Sequence, residues 1–590
     1  MFNRKSIFKT IVVAVFCIPS IGFCQELEDD WNDFLHYTAI GRLDLAKGYG
    51  QRIIDNDPDP VELLALSEEN TNGYRILLKM HDSSDELRDV SSRILDIIEE
   101  GRFIRRSEPK IIIQEIKRLS STIRGRIAAE QRLKNAGEYA IPFMLNALSD
   151  MSRTDEFANI ATALPKIGRD AIRPLVTALQ TDNVAVKAEI IRALGDIGYP
   201  QSLGYLKYIV ENDQSSQLRD LAMEAVNKID PSTGQLPAAE LLFLHAKGYY
   251  DHNESLAPAE DYDYANIWFW DRENRSLTRE EVEKNYFNEL MAMRACEWAL
   301  KADENIGKAI ALWIAAFFKA ESSGTTQPAY FGEKHLDAMA YAMTAGPEYL
   351  HQALEIAIQE NNAYVALGIV EALAANAGET SLLYRIGMDQ PLVKALRFND
   401  RAVRYSAAIA IGAAGPQSDF VGSNLIVENL AEAISDNGSG ELGPELADLY
   451  AIRAIKVMLK LAMTRNKVAN LSQGLSALIT ATRDSRKDMQ ILAGEVLARI
   501  PSPDAQQAIA RIALSDENDL DVRIAAFESL AISAKLNARQ LSDEQIDMIY
   551  SLISSSSTES RLRSTAASAY GALNLPSMKV KDLILDQAVN

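Results

Sequence analysis

The residues with most chemical potential in this sequence lie between 249 and 271, in the run YYDHNESLAPAEDYDYANIWFWD. Tyr249, Tyr250, Tyr262, Tyr264, Trp268, Phe269 and Trp270 are interleaved with Asp251, Glu254, Glu260, Asp261 and Asp263, and Asp271 closes the stretch, in a chain that is only 7% aromatic. Such a segment can stack a sugar ring or grip a peptide, because aromatic faces offer large rigid contact area and carboxylates supply directed acceptors. It can equally form the local core that anchors an insertion onto its neighbours. Tyr262, Tyr264, Trp268, Phe269 and Trp270 are the candidate binding residues. No spacing sets two of the acids across a cleft, so acid/base work on a glycan has no positional support.

Other reactive residue types are sparse. GxSxG, HExxH and GxxxxGK[ST] are absent, and no catalytic residue is assigned. Gly438, Gly440 and Gly443 match GxGxxG by letter but follow a helical pattern, where a phosphate cradle needs a strand before it. His245 and His252 have no third ligand at metal-binding spacing, so no metal and no cofactor are expected. Cys296 sits in a helix-period apolar pattern, which predicts a buried, inert thiol. Ten bases against three acids stand between Arg102 and Lys134. That block reads as a solvated helix face, or as a docking patch for an anionic polymer, a lipid surface or an acidic face of another molecule.

These residues need a scaffold, and composition bounds it. The chain has 590 residues, a net charge of −21 and 47% apolar residues, enough to bury an extended core. So acidic a surface excludes wrapping nucleic acid, whose affinity comes from neutralised phosphates. Three Cys exclude a disulfide-stapled scaffold. Residues 1–24 have the layout of a secretory signal peptide. Arg4, Lys5 and Lys9 precede the apolar run 11–18, Pro19 ends that run, and Gly22 and Cys24 are small residues before a cut at Gln25. The expectation is export to a periplasm or the extracellular space, with lipidation at Cys24 as the alternative. No transmembrane span is expected in the mature chain; the apolar run 309–318 is ten residues long between Lys308 and Lys319 and reads as a buried helix.

Internal repetition is the strongest pattern. Pro174-Leu-Val-Thr-Ala-Leu179 matches Pro391-Leu-Val-Lys-Ala-Leu396, and both continue through Val186 or Val403, the base Lys187 or Arg404, Gly195 or Gly412, and Gly198 or Gly415. Gly137, Gly168 and Gly198 recur at intervals of 31 and 30. Asp521-Val522-Arg523, Leu562-Arg563 and Gly571 repeat the second half. Physically this is a Pro-started helix, a polar turn and a second helix stopped by glycine, with Leu175, Val176, Leu179, Val186, Ile190, Ile191 and Leu194 on the buried sides. One hairpin cannot bury its apolar face alone, so the units must stack. Period-two alternation is absent apart from short runs such as 111–113, and no strand is expected.

The template P-L-V-x-A-L, D/N-x-x-V-R/K, A-L/I-G-x-x-G resembles the HEAT repeat family, including its short phycobilisome-lyase-type repeats, over 137–230 and 391–415 and more loosely over 484–575. The segments 30–66 and 291–319 resemble tetratricopeptide hairpins. The resemblance implies an all-α chain, an α-solenoid of stacked antiparallel helical hairpins. It also implies that the acid after a first helix and the base opening a second tie neighbouring units together; here these are Asp400 and Arg404, Asp519 and Arg523, and, with Asn and Lys replacing the usual pair, Asn183 and Lys187. The expected organisation is a signal peptide at 1–24, a tetratricopeptide-like region at 25–100, HEAT-like repeats with a basic first segment at 101–230, the aromatic insertion and a further hairpin at 231–330, and HEAT-like repeats at 331–590. The function expected is an exported, non-catalytic scaffold whose partner is a protein, with a glycan as the other partner class. The rival is a carbohydrate-active or lyase-type enzyme on the same framework.

Overall fold

The computed structural model describes residues 21–258, 264–324, 328–332, 335–376, 378–440, 442–576, 581 and 584–585. Most of the expected signal segment and Tyr262 lie outside the described residues. The repeat template becomes helical hairpins as the sequence requires. Asn183 accepts hydrogen bonds from the backbone N–H groups of Ala185 (3.1 Å) and Val186 (3.2 Å), capping the helix Val184–Ile197. Asp400 does the same for Val403 (3.2 Å) at the start of Arg401–Ala414. Such caps satisfy donors that have no partner within the helix. Gly198 (φ +75°) and Gly415 (φ +71°) end those helices in the left-handed region, and Gly137 (φ +58°) and Gly168 (φ +80°) also adopt positive φ. The recurring glycines are therefore stops that a side chain would strain.

One detail differs. Pro391 opens its helix, but Pro174 is the third residue of Ile172–Ala178. The first-turn N–H groups have no intrahelical acceptor, so proline is tolerated there as well as at the first position.

Burial follows the expected faces: Leu175, Val176, Leu179, Val186, Ile190, Ile191 and Leu194 are all buried. A second class of glycine sets how closely hairpins approach. A Cβ on Gly195 would lie 2.9 Å from the Cβ of Ala225, in the next second helix, Ser216–Ile229. One on Gly412 would lie 2.7 Å from Val457 Cγ1, in Pro444–Met463. At the equivalent Gly571 nothing among the described residues lies within 4 Å.

The expected polar ties between hairpins are present at Lys187, Arg404 and Asp519 but not at Arg523. Lys187 Nζ donates to Asp213 Oδ2 (3.0 Å) in the turn of the following hairpin, and Lys487 reaches Asp519 (2.5 Å) in the same sense. Arg404 bonds Asn429 (3.2 Å) and Glu432 (2.8 Å) on the next first helix while also capping the carbonyls of Phe398 and Asn399 (3.1 Å each) in its own hairpin. Arg219 caps Asp213 and Gln214 similarly, whereas Arg523 turns back to Ala513 and Asp516 in its own hairpin. Lysine at 187 thus serves the ladder with one bond where arginine at 404 serves two roles, since its fork spans several acceptors.

The chain divides into two compact units: residues 1–235 with 267–279, and residues 236–266 with 280–590. Each is built of stacked helical hairpins, and the fold class is all-α, an α-solenoid. The segment 291–319 is helical in Lys284–Ala302 and Gly307–Ser322, whose apolar run is buried from Ile314 to Phe318. Among the described residues no helix is long and apolar enough to cross a membrane. The expectation of no strand is corrected at one place: Tyr264–Asp271 (β1) and Ser276–Glu283 (β2) form a two-stranded hairpin. Four consecutive residues, Ala265 to Trp268, are buried, so β1 shows none of the alternation that marks a half-exposed strand.

The close approach at Gly195 is directly testable. Gly195→Ala is expected to lower the urea midpoint by the equivalent of about 1–3 kcal/mol through overpacking against Ala225. Gly571→Ala, facing open space, is expected to be neutral or stabilising by up to about 1 kcal/mol, because alanine is the better helix former.

Candidate functional site

The β-hairpin carries four of the five candidate residues, Tyr262 lying outside the described residues. Its turn is built by Asp271, whose carboxylate accepts from the backbone N–H groups of Glu273 (2.9 Å) and Asn274 (3.0 Å) and from the Asn274 side chain (2.7 Å). Those bonds stabilise the charged form and hold the Asp271 carboxyl below the usual range. Arg275 completes the turn at φ +51°, a position glycine would normally fill.

Trp268 is 4% exposed, and its indole Nε1 donates to Glu138 Oε2 at 2.8 Å. Glu138 is itself buried, in the short helical turn Gly137–Ala140, and its Oε2 also lies 3.5 Å from an Arg173 guanidinium nitrogen. The neighbouring Tyr139 ring has the Arg106 guanidinium 5.2 Å from its centroid and that of Arg279, from β2, at 4.9 Å, with Phe103 edge-on at 6.0 Å. A buried carboxylate thus receives an indole and a guanidinium, while a phenol ring is flanked by two cations; both arrangements fix the strand rather than hold a ligand.

Phe269 and Trp270 are only half-buried. Trp270, Arg275 and Leu277 border a shallow groove whose other wall includes Leu145, Val186 and Ile190 from the repeats. Asn146, Ser149 and Thr181 add polar atoms to it. Tyr264, at the start of β1, is half-buried and belongs to the other compact unit. The structure therefore separates the candidates: Trp268 is an anchor, Trp270 borders the groove, and Tyr264 does not share their unit. Sequence reasoning missed Glu138, Arg173, Arg275 and Leu277. The available signal was Glu138 itself, an acid directly after a stop glycine and before an apolar helix, where a buried charge requires partners.

The start of the 249–271 segment, through Tyr250 and His252, is used for a tie in the second unit. His252 (φ +53°) places Nε2 2.5 Å from Glu289 Oε1, and Glu289 is buried. Lys319 Nζ lies 4.0 Å from the same oxygen, donates to Glu360 Oε1 (3.1 Å) and to the Tyr250 carbonyl (2.9 Å), and sits 4.2 Å over the Tyr250 ring. The Tyr250 hydroxyl donates to Glu360 Oε2 at 2.5 Å, and burial pushes that phenol's pKa up. This knot holds the turn after Ala238–Tyr250 against the helices behind it. Cys296 is fully buried, and desolvation pushes its thiol up, as an inert cysteine requires. Gly438 and Gly443 lie in the loop joining Asn424–Ser435 to Pro444–Met463, not after a strand. Among the described residues no group of three or more His, Cys, Asp and Glu could hold a metal ion.

The family model for HEAT repeats matches residues 141–227, the stretch on which the β-hairpin tip is seated. No curated protein sequence matches the chain. Among solved structures, importin beta is similar at 12% identity over 93% of this chain and 71% of that one, with a TM-score of 0.26. The condensin Cnd3–Cnd2 subcomplex of S. pombe is similar at 12% identity over 92% and 74%, TM-score 0.21. An engineered protein is similar at 14% identity over 93% and 99%, TM-score 0.22. Likeness at this level carries no argument about function.

Two outcomes follow from the geometry. Trp268→Phe keeps an aromatic ring but removes the indole N–H that Glu138 accepts, and is expected to cost about 2 kcal/mol in chemical denaturation, the scale of a hydrogen bond to a buried charge. Burial pushes the His245 pKa down to about 4 and also lowers that of His351. An unfolded histidine near 6.5 takes up a proton that the folded chain disfavours, so this part of the stability is full above pH 6.5 and declines as pH falls toward 4. For His245 the loss reaches about 2 kcal/mol by pH 5. Urea midpoints measured from pH 7 to 5 should fall accordingly, and His245→Phe should flatten the slope.

Proposed function

We propose that the protein is an exported, non-catalytic scaffold that captures a protein partner, using the face of the first unit where Trp270, Arg275 and Leu277 meet the HEAT repeats. The observation that carries this reading is the division of labour in the β-hairpin. Trp268 is committed to Glu138 inside the unit, while two residues along β1 Trp270 stays half-exposed beside a guanidinium and an apolar groove. Half-exposed tryptophan next to arginine is the composition from which interface energy is mostly drawn. A repeat framework supports that role, since stacked hairpins offer extended surface and recognise partners by area. The signal-like arrangement of 1–24 supports export.

The test is affinity capture with the exported mature chain from its own envelope fraction, beside Trp270→Ala/Arg275→Ala. The expected result is a specific protein retained by the native chain, retention reduced at least about tenfold in the double variant, and unchanged helicity by circular dichroism. Equal retention by the double variant, or cleavage of a glycan by the purified native chain, contradicts the reading.

A further inference from the structure

The helical hairpin Pro109–Arg118 and Ile123–Ala136 shows one sign of charge on its outside. Lys110, Lys117, Arg118, Arg124, Arg132 and Lys134 are exposed, and both acids of the hairpin are withdrawn. Glu115 is 4% exposed and holds Arg118 (2.9 Å) and Arg132 (2.7 Å) through one oxygen; Glu130 holds Lys166 (2.7 Å). The block as a whole was open to the reading of a self-neutralising surface, and its first part fits: Arg102 pairs with Glu99 and Arg105 with Glu68. The hairpin fits it only through Arg118 and Arg132, which share Glu115. Among the described residues no ion pair engages Lys110, Lys117, Arg124 or Lys134.

Apolar side chains stand among these bases. Ile123 is 78% exposed, Ile127 63% and Ile113 37%. At about 100° per residue, Ile123, Ile127 and Lys134 fall within a sector of about 40° on their helix, with Arg124 beside it. The hairpin exposes no aromatic residue, whereas protein interfaces draw on Trp and Tyr and are depleted in Lys. Protruding aliphatics ringed by Lys and Arg are the pattern of a helix that lies in a lipid headgroup layer.

We propose that this hairpin docks the protein on an anionic lipid surface, with Ile123 and Ile127 entering the headgroup layer and Arg124, Lys134 and the neighbouring bases meeting lipid phosphates. The strongly acidic remainder of the chain does not prevent this, because at physiological salt repulsion is screened beyond about 8 Å while the contact itself is not.

Vesicle co-sedimentation of the full mature chain tests it, using phosphatidylcholine alone and phosphatidylcholine with about 30% phosphatidylglycerol at roughly 0.1 M salt. The expected result is binding to the anionic vesicles only, weakened at least about tenfold at roughly 0.5 M salt and by Arg124→Glu/Lys134→Glu, and several-fold by Ile123→Ser/Ile127→Ser. These four positions are exposed, so circular dichroism should be unchanged in both variants. Equal binding to both vesicle types, binding to neither, or native-like binding by the charge-reversed variant overturns the proposal. Retention on a polyglutamate resin without vesicle binding also overturns it and assigns the patch to an acidic protein.

Discussion

Everything in this structure depends on how closely one helical hairpin can lie against the next. A hairpin of two short helices has no stability of its own in water, because its apolar face is half of a core. The next hairpin supplies the other half only if it packs closely, and at Gly195 over Ala225 and at Gly412 against the Val457 side chain it packs so closely that a single added carbon would collide. The left-handed glycines at 137, 168, 198 and 415 end a helix abruptly and let the chain reverse, which sets the length of each unit. The ties from Lys187 to Asp213 and from Lys487 to Asp519 then join hairpins already in register. Such exposed or partly exposed pairs contribute little energy individually, so they specify alignment more than they hold the stack together.

The β-hairpin shows what an insertion must do to be accepted by such a stack. Strand pairing satisfies the backbone groups that face across the hairpin, Asp271 builds its turn, and one indole bonded to a buried carboxylate fixes its position. Burying Glu138 is costly unless donors surround it, so Trp268 and Arg173 together make the carboxylate tolerable while the carboxylate fixes Trp268. The residues beyond that anchor are left at the surface, which is why Trp270 and not Trp268 borders the groove.

The helical framework was legible because its signals are local. A proline near a helix start, Asn or Asp before a second helix and glycine after it each act within a few residues, and the apolar positions between them are buried as their spacing requires. The hairpin was not legible. β1 is covered on both faces from Ala265 to Trp268 and so lacks alternation, β2 (SLTREEVE) is half charged, and the turn uses Arg275 at positive φ where a glycine would have announced it. The concentration of aromatics at 249–271 was visible, but their different fates depend on Glu138, 130 residues away in sequence, and such a long-range partner leaves no mark in the segment itself. The same holds for His252, whose partner Glu289 lies on a later helix.

If nearest-neighbour packing is the governing constraint, damage at one crossing must stay near that crossing. Amide hydrogen exchange, followed by mass spectrometry on the native chain and on Gly412→Val, measures this directly. Faster exchange confined to Arg401–Ala414, Pro444–Met463 and the helices that flank them is the result this account predicts. A uniform acceleration across the whole chain, reaching Ser216–Ile229 as strongly as Pro444–Met463, would contradict it.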